Sequence, residues 1–569
     1  MEKKSPVYTL YNECQDCYKC VRRCPVKAIR IQNGHAAVLP DKCIACGRCV
    51  APCPSHAKQV RNDVAKVKEL LRSGKKVYLS LAPSWRAAFD CNSATLIAAL
   101  KKMGFDGVSE TALGAQAVSI ETAHILNKAE RGFFISSACP VIVDYIRLYQ
   151  PEMTANIVQL ASPALTHARI LRDRFGSDIA VVFLGPCVGK KNESDRNPDL
   201  IDVALTFEEF KVWMREDDIK LKGVADDGTN VFTPERSFEG ALYPMDGGMN
   251  ETIRQAGIKD DVQLINVCSL DLFKKALRNF DVSALKHPVF VEALACDGGC
   301  MNGPCMATKR SEFANISKVI AHTHHRDKIP SKPDAVVPVQ YRPQPVEQKV
   351  YSLDEIRTAL RRIGKYLPQD ELNCAGCGYQ TCQEMAKALL NGDAEPSMCV
   401  SYMRQIATRK VAAMLKSMPS AMVMLDKDLK ILEANEAFIN LFAGSMKDVF
   451  LSKPESLIGV SVTGMLDWSP MFKTVFKTAK ELHKDHYKYQ KKYYDVHLFP
   501  IQPEESIGAI ITDITGTQNN RDQVAQKARQ VISKNISIVQ EIACLLGEHM
   551  VETETLLNEI ADDYDEGDE

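Results

Sequence analysis

The sequence contains no run of about 18 apolar residues, so it offers no candidate membrane-spanning helix. It also lacks an excess of either charge. Its 71 Lys and Arg against 72 Asp and Glu leave a net charge of −1, which removes the electrostatic case for nucleic acid or an anionic membrane as a partner. The opening Met1-Glu2-Lys3-Lys4 is not followed by an apolar signal core, so export is not expected and a cytoplasmic location is. At 569 residues the chain is too long for one hydrophobic core, and three to five domains are expected. Asp562–Glu569 is a short acidic end expected to fray.

Cysteine is what the sequence has in quantity. Twenty cysteines, many in Cys-x2-Cys runs, read as metal ligands in a reducing compartment rather than as disulfides. Cys14, Cys17, Cys20 and Cys24-Pro25 repeat as Cys43, Cys46, Cys49 and Cys53-Pro54. This is the bacterial two-cluster ferredoxin run, in which the fourth cysteine of each motif ligates the other cluster. Cys14, Cys17, Cys20 and Cys53 are thus expected to hold one 4Fe–4S cubane, and Cys43, Cys46, Cys49 and Cys24 the second. Zinc would need four ligands per site as well, but the tight triplets and following prolines disfavour it.

Three later stretches carry four more cysteines. They are Ser136-Ser137-Ala138-Cys139-Pro140, Gly185-Pro186-Cys187-Val188-Gly189-Lys190-Lys191-Asn192-Glu193, and Glu292 to Cys305 with Cys296 and Cys300 around two glycines. Four thiols from three segments is the number one cubane needs. These stretches resemble the three signature loops of iron-only (FeFe) hydrogenases, and the resemblance runs from about Val77 to Lys309. It also includes Ile201-Asp202 and the Gly247-Gly248-Met249 turn followed by Glu251. The resemblance implies an H-cluster, a 4Fe–4S cubane bridged to a diiron subsite with CO and CN ligands. Cys139, Cys187, Cys296 and Cys300 would hold the cubane, and Cys300 would bridge to the diiron unit. Lys190 would donate to a cyanide ligand, and Glu193 would be its acidic partner.

The sequence departs from that family's pattern where protons are handled. The family carries a relay cysteine beside the first ligand, and this chain has Ala138 there. Upstream, alignment on Gly114-Ala115-Gln116 keeps Glu121 but puts Thr122 and Ile125 at later acidic positions. Gly185 stands for the usual methionine, and Gly303-Pro304-Cys305 for a glycine run. Cys305 is a candidate substitute relay, since a thiol restores a titratable group. Loss of relay groups with every metal ligand kept resembles the sensory branch of the family. Cys91, Cys268 and Cys544 read as core thiols.

The expected fold class is multidomain α/β and α+β. The expected domains are a two-cluster ferredoxin domain over 1–62, an α/β H-cluster domain over 63–330 and a proline-rich linker over 331–350. A small 4Fe–4S domain follows over 351–410, then a PAS domain over 411–517 and a helical dimerisation or output segment over 518–569. Asn62–Ser73 reads as a connecting helix. Within the α/β region Val77–Leu81, Phe133–Ser136, Ile179–Leu184 and Val289–Ala293 read as strands. Ser93–Met103, Val118–Ala129, Val141–Tyr149 and Ser162–Phe175 read as helices. Cys374, Cys377, Cys382 and Cys399 resemble a small 4Fe–4S domain of electron-transfer proteins, with zinc as the alternative. Ala421–Asp426, Ile431–Asn435, the helix Glu436–Phe442 and paired strands over Tyr493–Ile501 and Ser506–Thr515 resemble a PAS domain, with a generic α+β domain as the alternative. Ile532, Ile536, Val539, Ala543, Leu546, Met550, Leu557 and Ile560 fall at heptad spacing. A coiled coil in a homodimer is expected from them, against packing on the chain's own PAS domain.

The leading functional expectation is a hydrogen-sensing hydrogenase of slow turnover. H2 and protons are its substrates, and its redox state passes through the 4Fe–4S clusters to the PAS domain and a separate effector protein. A fully catalytic ferredoxin-linked hydrogenase is the second expectation, and a non-catalytic iron–sulfur assembly protein the third. H-cluster maturation proteins are implied partners.

Overall fold

Parallel strands need crossover connections, and sequences that alternate strand and helix supply them. The middle of this chain does so twice. A four-stranded sheet has the order Gly107–Glu110, Val77–Leu81, Ala180–Gly185, Val203–Thr206, and a three-stranded sheet the order Gln263–Cys268, Pro288–Leu294, Gly132–Ile135; every pairing in both is parallel. The computed structural model describes residues 5–221, 228–306, 311–327, 329–347, 349–502, 504–515 and 521–565. Lys309, Asn519 and the last four residues of the acidic end, where sequence features were expected, lie outside them, as does the side chain of Ile560. The chain divides into two units, Met1–Glu395 and Pro396–Glu569.

In the first unit, strands buried along their whole length carry near-continuous apolar runs, as parallel strands covered on both faces do. Predicted strand bounds agree with the observed ones within about one residue. The helix expected over Val118–Ala129 begins six residues earlier, at Ala112. The extra turns contain Gly114, a poor helix former, and packing explains why the helix persists there. A Cβ on Gly114 would lie 2.2 Å from Pro163 O and 2.6 Å from His167 N, so glycine lets this helix approach the helix Pro163–Phe175 closely.

The first 60 residues fold as two antiparallel strand pairs, Val7–Thr9 with Lys58–Val60 and Ile29–Gln32 with His35–Val38. The connecting helix is Val64–Arg72. Residues 331–347, expected as a linker, are strapped to the first unit. Ala161 N donates to Val337 O (2.8 Å), Val339 N to Gln159 O (3.1 Å), and Gln344 N to Arg147 O (2.9 Å). Proline removes a donor only at its own position, so an extended proline-rich segment still accepts through its carbonyls and donates from its other residues. The helix Leu353–Arg361 follows this segment.

The second unit is built on a five-stranded antiparallel sheet. Its order is Ile431–Ala434, Ala421–Asp426, Ser506–Asp513, Lys492–Gln502, Leu482–Tyr489. One face packs on short helices through Val423, Leu425, Phe438, Trp468, Phe472, Val496 and Ile511. The other face meets helical residues, with Met422, Phe499 and Ile510 against Leu415, Met418 and Val539. A single helix, Val400–Ser417, runs through residue 410, where a domain boundary was expected; nothing between 400 and 417 breaks it. The helix Arg521–Asp565 packs on its own sheet through Val539, while Leu545, Leu546, Met550 and Leu557 remain exposed. Among the described residues no helix is long and apolar enough to cross a membrane.

Candidate metal centre

The three cysteine loops leave the C-terminal ends of the two parallel sheets, where αβ folds gather functional groups. Cys139 is the N-cap of the helix Pro140–Tyr149, which the following proline starts. Cys187 links the strand Ala180–Gly185 to the helix Gly189–Arg196. Cys296 and Cys300 follow the strand Pro288–Leu294. Between them Gly299 has φ +98°, and a Cβ there would meet Pro244 O at 2.2 Å, so this turn requires glycine.

The four thiols converge. Burial pushes Cys187 up to about 11, with Cys139 adding to the rise and Lys190 opposing it. Burial likewise raises Cys300, with Cys139 and Cys187 adding, and raises Cys296 well above the ordinary range, with Cys300, Cys187 and Cys139 adding. Four neighbouring thiols whose charged forms repel one another become thiolates when cationic metal is placed among them, so this donor set fits a cubane. Among the described residues, Glu292 Oε1 in the strand Pro288–Leu294 and both side-chain polar atoms of Asn250 in the helix Gly248–Gln255 are buried without a hydrogen-bond partner. Burial pushes the Glu292 carboxyl up to about 7, even though Asn250 N donates to its Oε2 at 2.9 Å.

Lys190 lies beside the same thiols. Its Nζ is 2.7 Å from Glu193 Oε2 and 2.8 Å from Ser162 Oγ, and Ser162 Oγ also reaches Glu193 Oε2 at 3.0 Å. Ser162 was missed as a site residue; the Ser-Pro pair that caps the helix Pro163–Phe175 was its signal. A cavity lined by Pro140, Asp144, Glu193, Arg196, Asn197 and Tyr341 opens beside this group.

Ala138 packs at the edge of an apolar cluster containing Ala115, Val118, Tyr243, Met249 and Phe290, and its side chain has no group that could pass a proton. Thr122 Oγ1 donates to Val118 O at 2.7 Å within its own helix, and Glu121 pairs with the partly exposed His124 at 3.0 Å. Cys305 is buried with Val7, Ala45 and Val188. Its neighbours place it on the Cys187 side, near Glu208, Glu209 and Lys191, and burial followed by those carboxylates raises its pKa.

The N-terminal repeat shows the crossed grouping. Burial pushes Cys20 up to about 11, with Cys17, Cys14 and Cys53 among its neighbours. Cys49 is raised by burial, with Cys46, Cys24 and Cys43 adding. The two motifs are not isolated from the loops on either side. Cys46 is a neighbour of Cys296, and a Cβ on Gly47 would lie 2.8 Å from Pro304. On the other side a Cβ on Gly378 would be 3.0 Å from Val21, and the buried Tyr379 has both Cys377 and Cys24 as neighbours. The thiol groups therefore form a row from the Cys377 loop through the ferredoxin-like repeat to Cys296. Cys374, Cys377 and Cys382 belong to the first unit and Cys399 to the second.

Residues 75–304 match the family model described as iron-only hydrogenase large subunit, C-terminal domain. That stretch is similar to the catalytic domain of iron-only hydrogenases. Residues 6–54 match a 4Fe–4S dicluster domain, and residues 367–401 an Fe–S cluster family. A curated relative is iron hydrogenase 1 from Clostridium pasteurianum, 26% identical over 317 residues, which are 45% of this chain and 55% of that protein. The chain thus spans about half the length of that relative. Solved structures of FeFe-hydrogenase HydA1 variants from Chlamydomonas reinhardtii are 18% identical, with a TM-score of 0.39, covering 50% of this chain and 100% of theirs.

Proposed function

We propose that this chain is a hydrogen-sensing FeFe hydrogenase of slow turnover. The observation that carries the reading is the convergence of Cys139, Cys187, Cys296 and Cys300 beside Lys190, with Ala138 at the position that should relay protons. The four thiolates would hold the cubane, with Cys300 bridging to the diiron unit. When bound, that group supplies the heterolytic chemistry of 2H+ + 2e− ⇌ H2.

The chain's own residues hold and insulate the site. Glu193 and Ser162 fix the Lys190 ammonium, so that it presents a donor to an anionic ligand without searching rotamers. Proton supply is the weak step, because Ala138 neither donates nor accepts and Thr122 is occupied by its own helix. Cys305 remains the candidate substitute relay, with Glu208 as the next group outward.

Electrons would pass along the row of thiol groups, with two cubanes in the repeat and a further Fe–S cluster at the Cys377 loop. In this reading 411–517 is a PAS domain, supported by a five-stranded antiparallel sheet in the order 2-1-5-4-3. The exposed apolar residues of the helix Arg521–Asp565 would pair with a second copy in a homodimer and pass the state to an effector protein. Maturation proteins would insert the diiron unit.

A second reading, a catalytic ferredoxin-linked hydrogenase, is favoured by the abutment of Cys46 and Gly47 on the third loop, which suits rapid electron delivery. Hydrogen turnover of the matured protein separates the two: slow turnover supports sensing, and turnover near that of relay-bearing enzymes supports the second. An assembly protein has no use for an ammonium fixed by Glu193 beside the bridging thiol.

A further inference from the structure

The outer edge of the five-stranded sheet carries a group that the hydrogenase reading does not use. His483 faces His497 across the pair of strands Leu482–Tyr489 and Lys492–Gln502. Asp495, two residues from His497, lies on the same face. The register slips between Lys484 and Tyr487, and His486 sits in the left-handed region at φ 51°. Such a bulge re-aims its side chains, and here it brings Asp485 to the same group. His483 Nε2 is 2.6 Å from Asp485 Oδ1 and 3.6 Å from Asp495 Oδ1. Ligating atoms of all three residues lie within 4.8 Å of one another.

A second observation is independent of that spacing. Asp495 is 6% exposed, yet its Oδ1, the atom directed at His483, has no hydrogen-bond partner among the described residues. His497 is 3% exposed, and its Nδ1 is equally without a partner while Nε2 meets Glu481 Oε2 at 3.2 Å. Leaving a buried carboxylate oxygen unsatisfied is costly, and a second carboxylate beside it adds repulsion. A cation removes both penalties.

We propose that His483, Asp485 and Asp495 form a binding site for a divalent first-row metal ion. One imidazole and two carboxylates are a borderline-to-hard donor set, unlike the thiolate sites of the first unit, and suit Zn2+, Fe2+ or Mn2+. Asp495 is the buried anchor, while His483 and Asp485 are exposed enough to let an ion enter and keep water on its remaining positions. His497, its ring centroid 5.5 Å from that of His483, stands ready as a further imidazole. Its contact with Glu481 is the outer carboxylate partner that ligating histidines commonly have.

Mn2+ is the probe, because it avoids thiolates. The intact protein, with all clusters oxidised, is titrated with Mn2+ and the free ion is read by room-temperature electron paramagnetic resonance. The site predicts a saturable Mn2+ per chain that Zn2+ displaces. In the double variant His483→Gln/Asp485→Asn, whose positions are exposed and should leave the fold intact, affinity should fall by at least about tenfold. Equal binding in both proteins, or no binding by the wild type at millimolar Mn2+, overturns the proposal.

Discussion

Lys190 and Lys191 are neighbours in sequence and end in opposite surroundings. Lys190 Nζ lies 2.7 Å from Glu193 Oε2 beside the cysteine loops, whereas Lys191 Nζ is fully buried, 2.9 Å from Asp63 Oδ2 and 2.8 Å from Glu209 Oε1. A helical step of about 100° per residue separates them. Lys191→Met removes the buried cation shared by Asp63 and Glu209, of which Asp63 keeps Arg61 and Lys66, and should cost about 3 kcal/mol of stability. Lys190→Met leaves the buried Glu193 carboxylate with Ser162 alone, so it should also lower the urea midpoint, and unlike Lys191→Met it should alter the cyanide bands of the matured protein. Cyanide bands altered equally in the two variants would contradict this division.

The crossed thiol grouping predicts which cluster each cysteine serves. Cys53→Ala should cost the cluster that Cys14, Cys17 and Cys20 hold and spare the one nearest Cys296, although Cys53 belongs to the second motif. Cys24→Ala should do the reverse. Iron content with Mössbauer or paramagnetic resonance spectra identifies the missing cluster, and loss of the cluster within each cysteine's own motif would refute the grouping.

Restoring a titratable group at the relay position tests the slow-turnover reading. Ala138→Cys should raise hydrogen turnover by on the order of 10²-fold while leaving the infrared bands of the site nearly unchanged. An unchanged rate would mean that proton supply at this position is not what limits turnover.

His167 supplies a pH-dependent term. Its ring is fully buried between Ser80 Oγ and Ser109 Oγ, each at 2.8 Å, and burial lowers its pKa from 6.5 to about 3. The folded protein thus keeps this histidine neutral while the unfolded chain takes up a proton below pH 6.5. The stabilisation is fully present above that value and is lost as pH falls toward 3, to a limit on the order of 5 kcal/mol. Urea midpoints between pH 7 and 5 should fall more steeply for wild type than for His167→Gln.

Much of the site was legible because its signals are local. Cys139 before a helix-starting proline, Cys187 after an apolar strand, and Cys296 and Cys300 around glycines each read from a few adjacent residues. What depends on distant partners did not read. Nothing near Lys191 in sequence points to Asp63 or Glu209, and nothing near Glu292 signals its buried, half-satisfied carboxyl. The strand Leu482–Tyr489 was missed because His483, Lys484, Asp485 and His486 face solvent at a sheet edge and interrupt the apolar alternation. Heptad spacing in the last helix could not say which apolar residues would be used by the chain's own sheet. Val539 is, and Leu546 and Met550 are not.

Infrared spectroscopy of the matured protein under hydrogen and under argon, with turnover measured on the same sample, bears most directly on the hydrogen-sensing reading. Carbonyl and cyanide bands that shift on exposure to hydrogen, together with slow turnover, are expected. Absence of such bands, when a control hydrogenase matures under the same conditions, would contradict it.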